Sequence, residues 1–373
     1  MKKTLFVFIT PTSSQPRFHK RIAGFTNLSD IIIFSFRRGL YEVNNFKDGL
    51  QVHDLGRINN RNYIQRIFPI YSAIRILRNK IPRNYKNVKF YAFSIDCLFI
   101  AKMAGLKDGF LEVGDLVLMN TSHKWLSFIE KLVLRAINGL VLTSVEYYNQ
   151  YYKHLGNNHI TSFHFIENKI PKVLSTQRVR DKKKVAGKVT IGLIGFLRYE
   201  LPILRLIKFV ENNSSLVTLK VFGDGQFKHY FDQNQSKNIN YYGSFKNPDE
   251  LNEIYKKIDI NYVVYDPSSL NVRLALPNKL YESAFFRVPI ICSTNTYLSK
   301  LVKEWDIGDE IDISSQINFD RDIYKYLKPD WIQSKSNNCL RIPNKSLIDD
   351  QEKELKTIIM GKNKKHETSV SKF

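Results

Sequence analysis

The sequence alternates short apolar runs with longer amphipathic segments, and this alternation occurs in both halves of the chain. Uninterrupted apolar strands between helices are typical of a parallel sheet that is covered on both faces. The predicted strands are Leu5–Ile9, Ile31–Phe36, Lys89–Phe93, Gly109–Glu112 and Gly139–Thr143 in the first half, and Val189–Ile194, Thr218–Phe222, Ile239–Tyr242, Ile260–Val264 and Pro289–Cys292 in the second. Because 373 residues exceed one ordinary core of about 100–150 residues, we predict an α/β fold with two doubly wound domains.

A polar segment without apolar periodicity separates the two halves. Residues 177–184 are mostly charged, which is typical of a linker between domains. We therefore expect an N-terminal domain over 1–170, a linker over 171–188 and a C-terminal domain over 189–361, with a cleft between the domains. The last residues, 362–373, predict a disordered tail.

The cysteines and the N-terminus bear on the compartment. Cys97, Cys292 and Cys339 are far apart, which favours neither a disulfide framework nor a zinc site. Lys2 and Lys3 precede an apolar run as in a signal peptide, but that run is short and lacks a cleavage pattern, so we interpret it as the first strand. No apolar stretch of about 18 residues is present. We expect a cytoplasmic protein with no metal.

The net charge predicts an anionic partner. The chain has 57 Lys and Arg against 35 Asp and Glu, a formal charge of +22 that exceeds what solubility requires. The segment Arg57–Lys89 contains nine basic residues and no acidic one. Its apolar residues have helical spacing, and they are Ile64, Ile67, Phe68, Tyr71 and Ile74.

This basic segment has three interpretations. Its apolar stripe packs on the sheet while the basic face is solvated, or the segment rests on anionic lipid, where each basic residue contributes on the order of 1 kcal/mol. Nucleic acid is the third, but no nucleic-acid-binding module is recognised, so we expect no such partner. In the lipid interpretation, Arg75, Arg78 and Arg83 face the membrane, and the protein is peripheral on the cytoplasmic face of the inner membrane.

Glycines follow two of the predicted strands in the second half. Gly195 follows Val189–Ile194, with Arg198 just beyond it, and Gly223 follows the next strand. Ligands bind at the carboxyl edge of parallel sheets, and glycine lets the backbone approach them closely. Each motif by itself is also typical of a simple turn.

A lysine and a glutamate lie three residues apart at a predicted helix start. Pro277 suits a first helical turn, which places Lys279 and Glu282 on one face near the positive end of the helix. An ammonium group there suits phosphate oxygens, and a carboxylate accepts hydrogen bonds from a ribose diol. A Lys–Glu pair at this spacing is more commonly a surface ion pair.

Taken in order, these motifs resemble the nucleotide-binding half of the two-Rossmann-domain (GT-B) glycosyltransferases. The motifs that carry the resemblance are Gly195 with Arg198, Phe222–Gly225, Tyr242 with Gly243, Leu280–Glu282 and Val288–Ser293. The chain looks most like family 4, and Lys279 with Glu282 also resembles the xanthan-type glucuronosyltransferase. The resemblance covers approximately Leu5–Gly361.

The resemblance implies a nucleotide-sugar donor, expected to be a UDP-sugar, on the second domain and an acceptor on the first, without a metal or other cofactor. Glu282 would bind ribose, and Lys279 and Arg198 would hold the diphosphate and stabilise the departing charge. The family's first glutamate is replaced by Leu274, so Asn271 is expected to take its place. The implied donor-binding residues are Gly195, Arg198, Gly223, Phe245, Asn271, Lys279 and Glu282.

In the first half, Phe110–Leu116 resembles the strand end where family 4 carries a His-Asp pair. Gly114 stands at the histidine position, which leaves Glu112 and Asp115 as catalytic carboxylates that would accept the proton of an acceptor hydroxyl. An aspartate that opens a helix is equally typical of an N-cap. The expected acceptor-side residues are Ser13, His19 and His123.

Three functions are compatible with these features. The first is a glycosyltransferase that moves a sugar from a UDP-sugar to a membrane-associated, lipid-linked glycan in the biosynthesis of a surface polysaccharide such as capsule, O-antigen or exopolysaccharide. The second is a sugar-nucleotide 2-epimerase of the same fold, which needs no lipid. The third is a non-catalytic basic membrane-binding module, which Gly114 and Leu274 favour because functional residues are expected at both positions.

Overall fold

The structure, a computed structural model, divides the chain into two compact units. Unit 1 comprises Met1–Glu167 and Gln351–Phe373, and unit 2 comprises Asn168–Asp350. The residues that the structure describes are 4–26, 29–38, 50–58, 66–116, 130–132, 134–135, 137–155, 160, 162–178, 187–234 and 236–360.

Unit 1 is built on a seven-stranded parallel sheet of order β3-β2-β1-β4-β5-β6-β7. Its strands are β1 Leu5–Thr10, β2 Asp30–Arg38, β3 Val52–Ile58, β4 Val88–Ala92, β5 Asp108–Val113, β6 Gly139–Leu142 and β7 Ser162–Phe165. Its first helices are α1 Pro16–Thr26, α2 Ile67–Lys80, α3 Ile95–Met103 and α4 Val145–Gln150. The strand order reverses between β1 and β4, the point where doubly wound sheets bind ligands.

Unit 2 contains a six-stranded parallel sheet of order β10-β9-β8-β11-β12-β13. Its strands are β8 Val189–Ile194, β9 Val217–Phe222, β10 Ile239–Tyr241, β11 Ile260–Val263, β12 Ile290–Ser293 and β13 Gly308–Ile311. Its helices are α5 Glu200–Asn212, α6 Lys228–Gln233, α7 Leu251–Lys256, α8 Leu270–Leu274, α9 Lys279–Phe286, α10 Tyr297–Glu304, α11 Gln316–Tyr326, α12 Pro329–Asn338 and α13 Asn344–Leu347.

Aromatic side chains form much of the core between the sheet of unit 1 and α1. The Phe8 ring on β1 lies 5.3 Å from the Tyr91 ring on β4 and 5.0 Å from the Phe25 ring on α1. All three side chains are buried. Because aromatic pairs add about 0.5–1.5 kcal/mol beyond the area they bury, this packing fixes α1 against the sheet edge that carries the candidate acceptor residues.

The chain returns to unit 1 after unit 2. Helix α14, Glu352–Met360, buries Leu355 and Ile358 in the core of unit 1. A Cβ atom at Gly24 on α1 would lie 2.3 Å from Leu355, so glycine permits this contact. The C-terminal domain expected over 189–361 therefore ends earlier in the structure, because the apolar face of α14 is buried by unit 1.

The first part of the expected linker, 171–188, belongs to unit 2. Lys172–Gln177 forms a 3-10 helix with Leu174 buried. Arg178 then donates hydrogen bonds to two backbone carbonyls of unit 2, at 2.7 and 3.0 Å. Residues 179–186, and the expected tail over 362–373, lie outside the described residues.

Candidate active site

Three loops meet at the carboxyl edge of β8, β9 and β10 in unit 2. The Gly195 N–H donates to the Phe222 carbonyl at 2.8 Å, and the Gly223 N–H donates to the Gly243 carbonyl at 2.7 Å. The φ angles of Gly195 and Gly223 are 124° and 148°, values that other residues rarely adopt. A Cβ atom at Gly223 would lie 1.8 Å from the Gly195 carbonyl oxygen, so these glycines permit the loops to pack backbone to backbone.

The Lys279–Glu282 pair lies beside these loops and is buried. Lys279 Nζ is 2.6 Å from Glu282 Oε2, and the two side chains are 6% and 3% exposed. The Phe245 ring lies 5.9 Å from the ammonium group, and Lys279 Cε would be 3.8 Å from a Cβ at Gly195. The pair is therefore not a surface ion pair, and four of the expected donor residues, Gly195, Phe245, Lys279 and Glu282, lie together.

A polar network holds the Glu282 carboxylate in place. The Tyr255 hydroxyl donates to Oε2 at 2.8 Å, the Asn278 amide donates to Oε1, and Asn261 donates to the Tyr255 oxygen at 3.2 Å. The pKa of Tyr255 is raised well above its usual value, mainly by burial and secondly by the charge of Glu282. The phenol therefore keeps its proton and remains a hydrogen-bond donor. A carboxylate accepts about four hydrogen bonds, and Lys279, Tyr255 and Asn278 supply three, which leaves capacity for one more.

Two further expected donor residues, Arg198 and Asn271, differ in their exposure. Arg198 is exposed, and its guanidinium carbon lies 4.8 Å from the Tyr199 ring centroid rather than against Glu282. Asn271 is buried on α8. Leu274, which replaces the glutamate of family 4, is buried on the same helix.

A cavity of about 140 Å³ lies in unit 1, beside the carboxyl ends of β1, β4 and β5. The charged side chains that line it are Arg17, Arg66, Asp96, Glu112, Asp115 and Glu130. Both expected catalytic carboxylates, Glu112 and Asp115, are among them. Their surroundings differ.

The Glu112 carboxylate is part of a buried ion pair. Arg21 donates to it through Nε at 2.9 Å and through Nη2 at 3.2 Å, and the Tyr91 hydroxyl donates at 2.6 Å. The Arg21 and Glu112 side chains are 1% and 0% exposed. Arg21 also donates to the Ile166 carbonyl at 3.3 Å and to the Gln351 side chain, so it ties together the two segments that join unit 1 to unit 2. These contacts are typical of a buried structural ion pair, and the catalytic role expected of Glu112 from the sequence stays a prediction.

Asp115, in contrast, is exposed at the cavity, next to Gly114. A Cβ atom at Gly114 would lie 1.1 Å from Arg17 Nη1. The guanidinium of Arg17 therefore occupies the space that a side chain at position 114 would need. Arg17 was not among the residues expected from the sequence, because nothing in the spacing of residues 17 and 114 indicates this contact.

The expected acceptor-side residues are less open to solvent. Ser13 is fully buried, and His19 is half-buried on α1. Burial lowers the pKa of His19, although a hydrogen bond with the Ser13 backbone opposes this effect. His123 lies outside the described residues.

Helix α2 buries only part of the predicted apolar stripe. Ile74 is buried, together with Ala73 and Leu77, whereas Ile67, Phe68 and Tyr71 are exposed, Phe68 by 84%. Arg75, Arg78 and Arg83 are exposed as well. Ile64 lies outside the described residues. Solvent-exposed apolar and basic side chains thus share one segment, and the sheet does not cover the whole stripe.

Two negative findings concern the described part of the chain. None of the helices there is both long and apolar enough to cross a membrane. No cluster of three or more His, Cys, Asp or Glu side chains with the arrangement of a metal site occurs among the same residues.

Solved structures resemble the whole chain. HepE from Anabaena, in complex with UDP-glucose, is 12% identical with a TM-score of 0.67, and the match covers 95% of this chain and 98% of that chain. Sucrose-phosphate synthase from Thermosynechococcus elongatus is 10% identical with a TM-score of 0.65, covering 96% and 97%. WaaG, a glycosyltransferase involved in lipopolysaccharide biosynthesis, is 13% identical with a TM-score of 0.61, covering 96% and 100%.

This chain has the GT-B fold. The two parallel sheets and the full-length matches confirm the predicted pair of Rossmann-like domains. No family model matches the sequence, and no curated protein matches it. The GT-B assignment therefore rests on structure rather than on sequence identity.

Proposed function

We propose that this chain is a glycosyltransferase that binds a UDP-sugar through unit 2 and transfers the sugar to an acceptor bound by unit 1. The observation that carries the proposal is the buried Lys279–Glu282 pair beside the glycine loops. A buried ion pair is costly to desolvate and is weak evidence for stability alone. Its location at the carboxyl edge, where Rossmann-like sheets bind nucleotides, supports a binding role.

The donor half of the reaction uses the cations of unit 2. Lys279 has three ammonium N–H donors, of which Glu282 takes one, so the others are able to bind diphosphate oxygens. Glu282 accepts a hydrogen bond from the ribose, and Phe245 lies near the base. Arg198 adds a second cation for the departing diphosphate, and Asn271 binds a sugar hydroxyl. Preorganised positive charge where negative charge develops is a large source of catalysis.

The acceptor half uses Asp115. The acceptor oxygen forms a bond to the anomeric carbon, the bond from that carbon to the diphosphate oxygen breaks, and UDP leaves with the bonding electrons. Asp115 takes the hydroxyl proton, a general-base role that contributes about 10²–10⁴ in rate. The exposure of Asp115 at the cavity supports this assignment over Glu112.

The segment around α2 supports an acceptor at an anionic membrane. Ile67, Phe68 and Tyr71 provide apolar side chains for the acyl boundary, and the exposed arginines, with Arg83 beyond the helix, attract anionic headgroups. We propose a lipid-linked glycan acceptor in a surface polysaccharide pathway, on the cytoplasmic face of the inner membrane. A sugar-nucleotide 2-epimerase needs no such surface.

Calorimetric titration with UDP tests the proposal. Wild-type chain is expected to bind UDP, and Glu282→Gln to weaken binding by roughly 10- to 100-fold, because a charged acceptor for the ribose is lost. The matched control is Glu253→Gln, since Glu253 and Lys256 form an exposed pair of the same spacing at 2.7 Å.

Transfer is measured as UDP release from UDP-sugars with anionic vesicles that contain lipid-linked glycans. No binding of UDP, or equal losses in Glu282→Gln and Glu253→Gln, would contradict the transferase proposal. Binding to anionic vesicles that is unchanged in Glu282→Gln, with no binding of UDP by the wild type, would favour the non-catalytic membrane module. Conversion of UDP-sugar without any acceptor would favour the epimerase.

A further inference from the structure

Three of the six charged side chains that line the cavity of unit 1 are held in ion pairs. Arg66 Nη1 is 2.5 Å from Asp96 Oδ2, and Glu112 Oε2 is 2.9 Å from Arg21 Nε. Each of these pairs has no net charge. Two ionisable pairs therefore contribute little to the field inside the cavity.

Glu130 is a third carboxylate at the cavity. It is buried, and the hydroxyls of Tyr151 and Tyr152 donate to it at 2.5 and 3.3 Å. Burial raises the pKa of Glu130, while these two hydrogen bonds oppose the rise. Among the described residues that line the cavity, Arg17 is the cation that takes part in neither of these ion pairs.

One hydrogen bond orients the guanidinium of Arg17. Its Nε donates to Gln15 Oε1 at 3.1 Å, which leaves the edge formed by Nη1 and Nη2 directed away from that contact. Within the described part of the chain, no carboxylate lies within ion-pair distance of Arg17. Arg17 Nη1 lies in the space that a side chain at Gly114 would fill. Gly114 precedes Asp115 in the sequence, and both residues line the cavity.

We propose that Arg17 forms a subsite for an oxyanion, a carboxylate or a phosphate, carried by the acceptor near the hydroxyl that Asp115 deprotonates. The proposal rests on the proposed transferase function and adds the chemical class of the acceptor. A guanidinium presents planar paired donors that match a carboxylate or phosphate in two parallel hydrogen bonds. A cation already oriented by Gln15 loses little conformational freedom on binding. Gly114 is required because any side chain there would displace the guanidinium.

The first experiment uses the wild-type full-length chain, with affinities measured by calorimetry. The probes are inorganic phosphate, methyl glucuronide and neutral methyl glucoside. We expect saturable binding of at least one anionic probe and none of the glucoside. Binding of the glucuronide alone identifies a carboxylate-bearing acceptor, and binding of phosphate alone identifies a phosphorylated one. Binding of neither anion, or equal binding of the glucoside, would overturn the proposal.

Three variants locate the binding. Arg17→Lys keeps the charge but loses the paired donors, so the affinity for the bound anion falls about tenfold or more. Gly114→Ala keeps Arg17 but displaces its guanidinium, and a similar fall is expected. Arg341→Gln, at an exposed arginine of unit 2, removes one charge elsewhere and is the control. An equal loss in Arg341→Gln would show diffuse attraction to a basic protein and would refute the subsite.

Titration of UDP into the same samples separates the two proposals. Bound UDP without bound anion overturns the oxyanion subsite and leaves the donor assignment intact. Bound anion without bound UDP overturns the donor assignment and retains a site for an oxyanion on unit 1. Because the wild-type titrations need no variant, a substitution that prevents folding does not remove the test.

Discussion

Replacement of Arg21 tests the structural role that the buried ion pair gives to Glu112. Arg21→Met leaves a carboxylate that is 0% exposed with Tyr91 as its remaining donor among the described contacts. An uncompensated buried charge of this kind costs about 3–5 kcal/mol, or two to four orders of magnitude in an equilibrium constant. The double variant Arg21→Met with Glu112→Gln removes the charge and keeps an acceptor for Tyr91, so the loss is expected to fall to about 1 kcal/mol.

Amide hydrogen exchange followed by mass spectrometry measures the effect on each unit separately. Peptides from β5 in the single variant are expected to exchange roughly 10²–10⁴ times faster, and those of the double variant to recover most of their protection. Lys303→Met, which removes an exposed partner of Glu310 at 2.7 Å, is the control and costs under about 1 kcal/mol. UDP release by the double variant is expected to recover with its stability. A stable double variant without activity would refute the assignment of Glu112 as a counterion and would return it to catalysis.

Three further outcomes are expected. Phe68→Ser weakens co-sedimentation with anionic vesicles roughly tenfold or more, because burial of a phenylalanine contributes about 1.5–3 kcal/mol, and the remaining binding falls with salt. The control is Ile317→Ser, at a residue of unit 2 that is 81% exposed, and it is expected to have no effect. Equal losses in the two variants would contradict a defined membrane face. Asp115→Asn lowers kcat by about 10²–10⁴ with little change in the KM for the donor, and an unchanged kcat would exclude Asp115 as the base. Burial raises the pKa of Glu130 above 4.5, so the folded state binds the proton more tightly, and stability falls as pH rises from 4.5 through the folded pKa. Glu130→Gln flattens this dependence in urea unfolding, and parallel wild-type and variant curves would be inconsistent with it.

The alternation of apolar runs predicted the fold because each strand is an uninterrupted local segment. The predicted strand Val189–Ile194 has the bounds observed for β8. The position of α14 was not predictable in this way. Its apolar residues, Leu355 and Ile358, indicate an amphipathic helix, but only the three-dimensional arrangement decides that unit 1 buries them.

Contacts at the candidate site follow from the sequence where the residues are close along the chain. Lys279 and Glu282 share one helical turn, so their proximity follows from helical geometry. The partner of Glu112 is Arg21, which lies 91 residues earlier in the chain, and no local pattern indicates that contact. Helical spacing identified α2 but not which of its apolar residues are covered, and Phe68 is exposed for that reason.

Hydrogen exchange in the presence of UDP tests most directly whether unit 2 holds a nucleotide diphosphate at its glycine loops. We expect UDP to slow exchange in peptides that contain 195–198, 223–225 and 279–282, and to leave exchange in α11 and α12 unchanged. Protection confined to other segments, or none at saturating UDP, would contradict the assignment of Lys279 and Glu282 to the donor site.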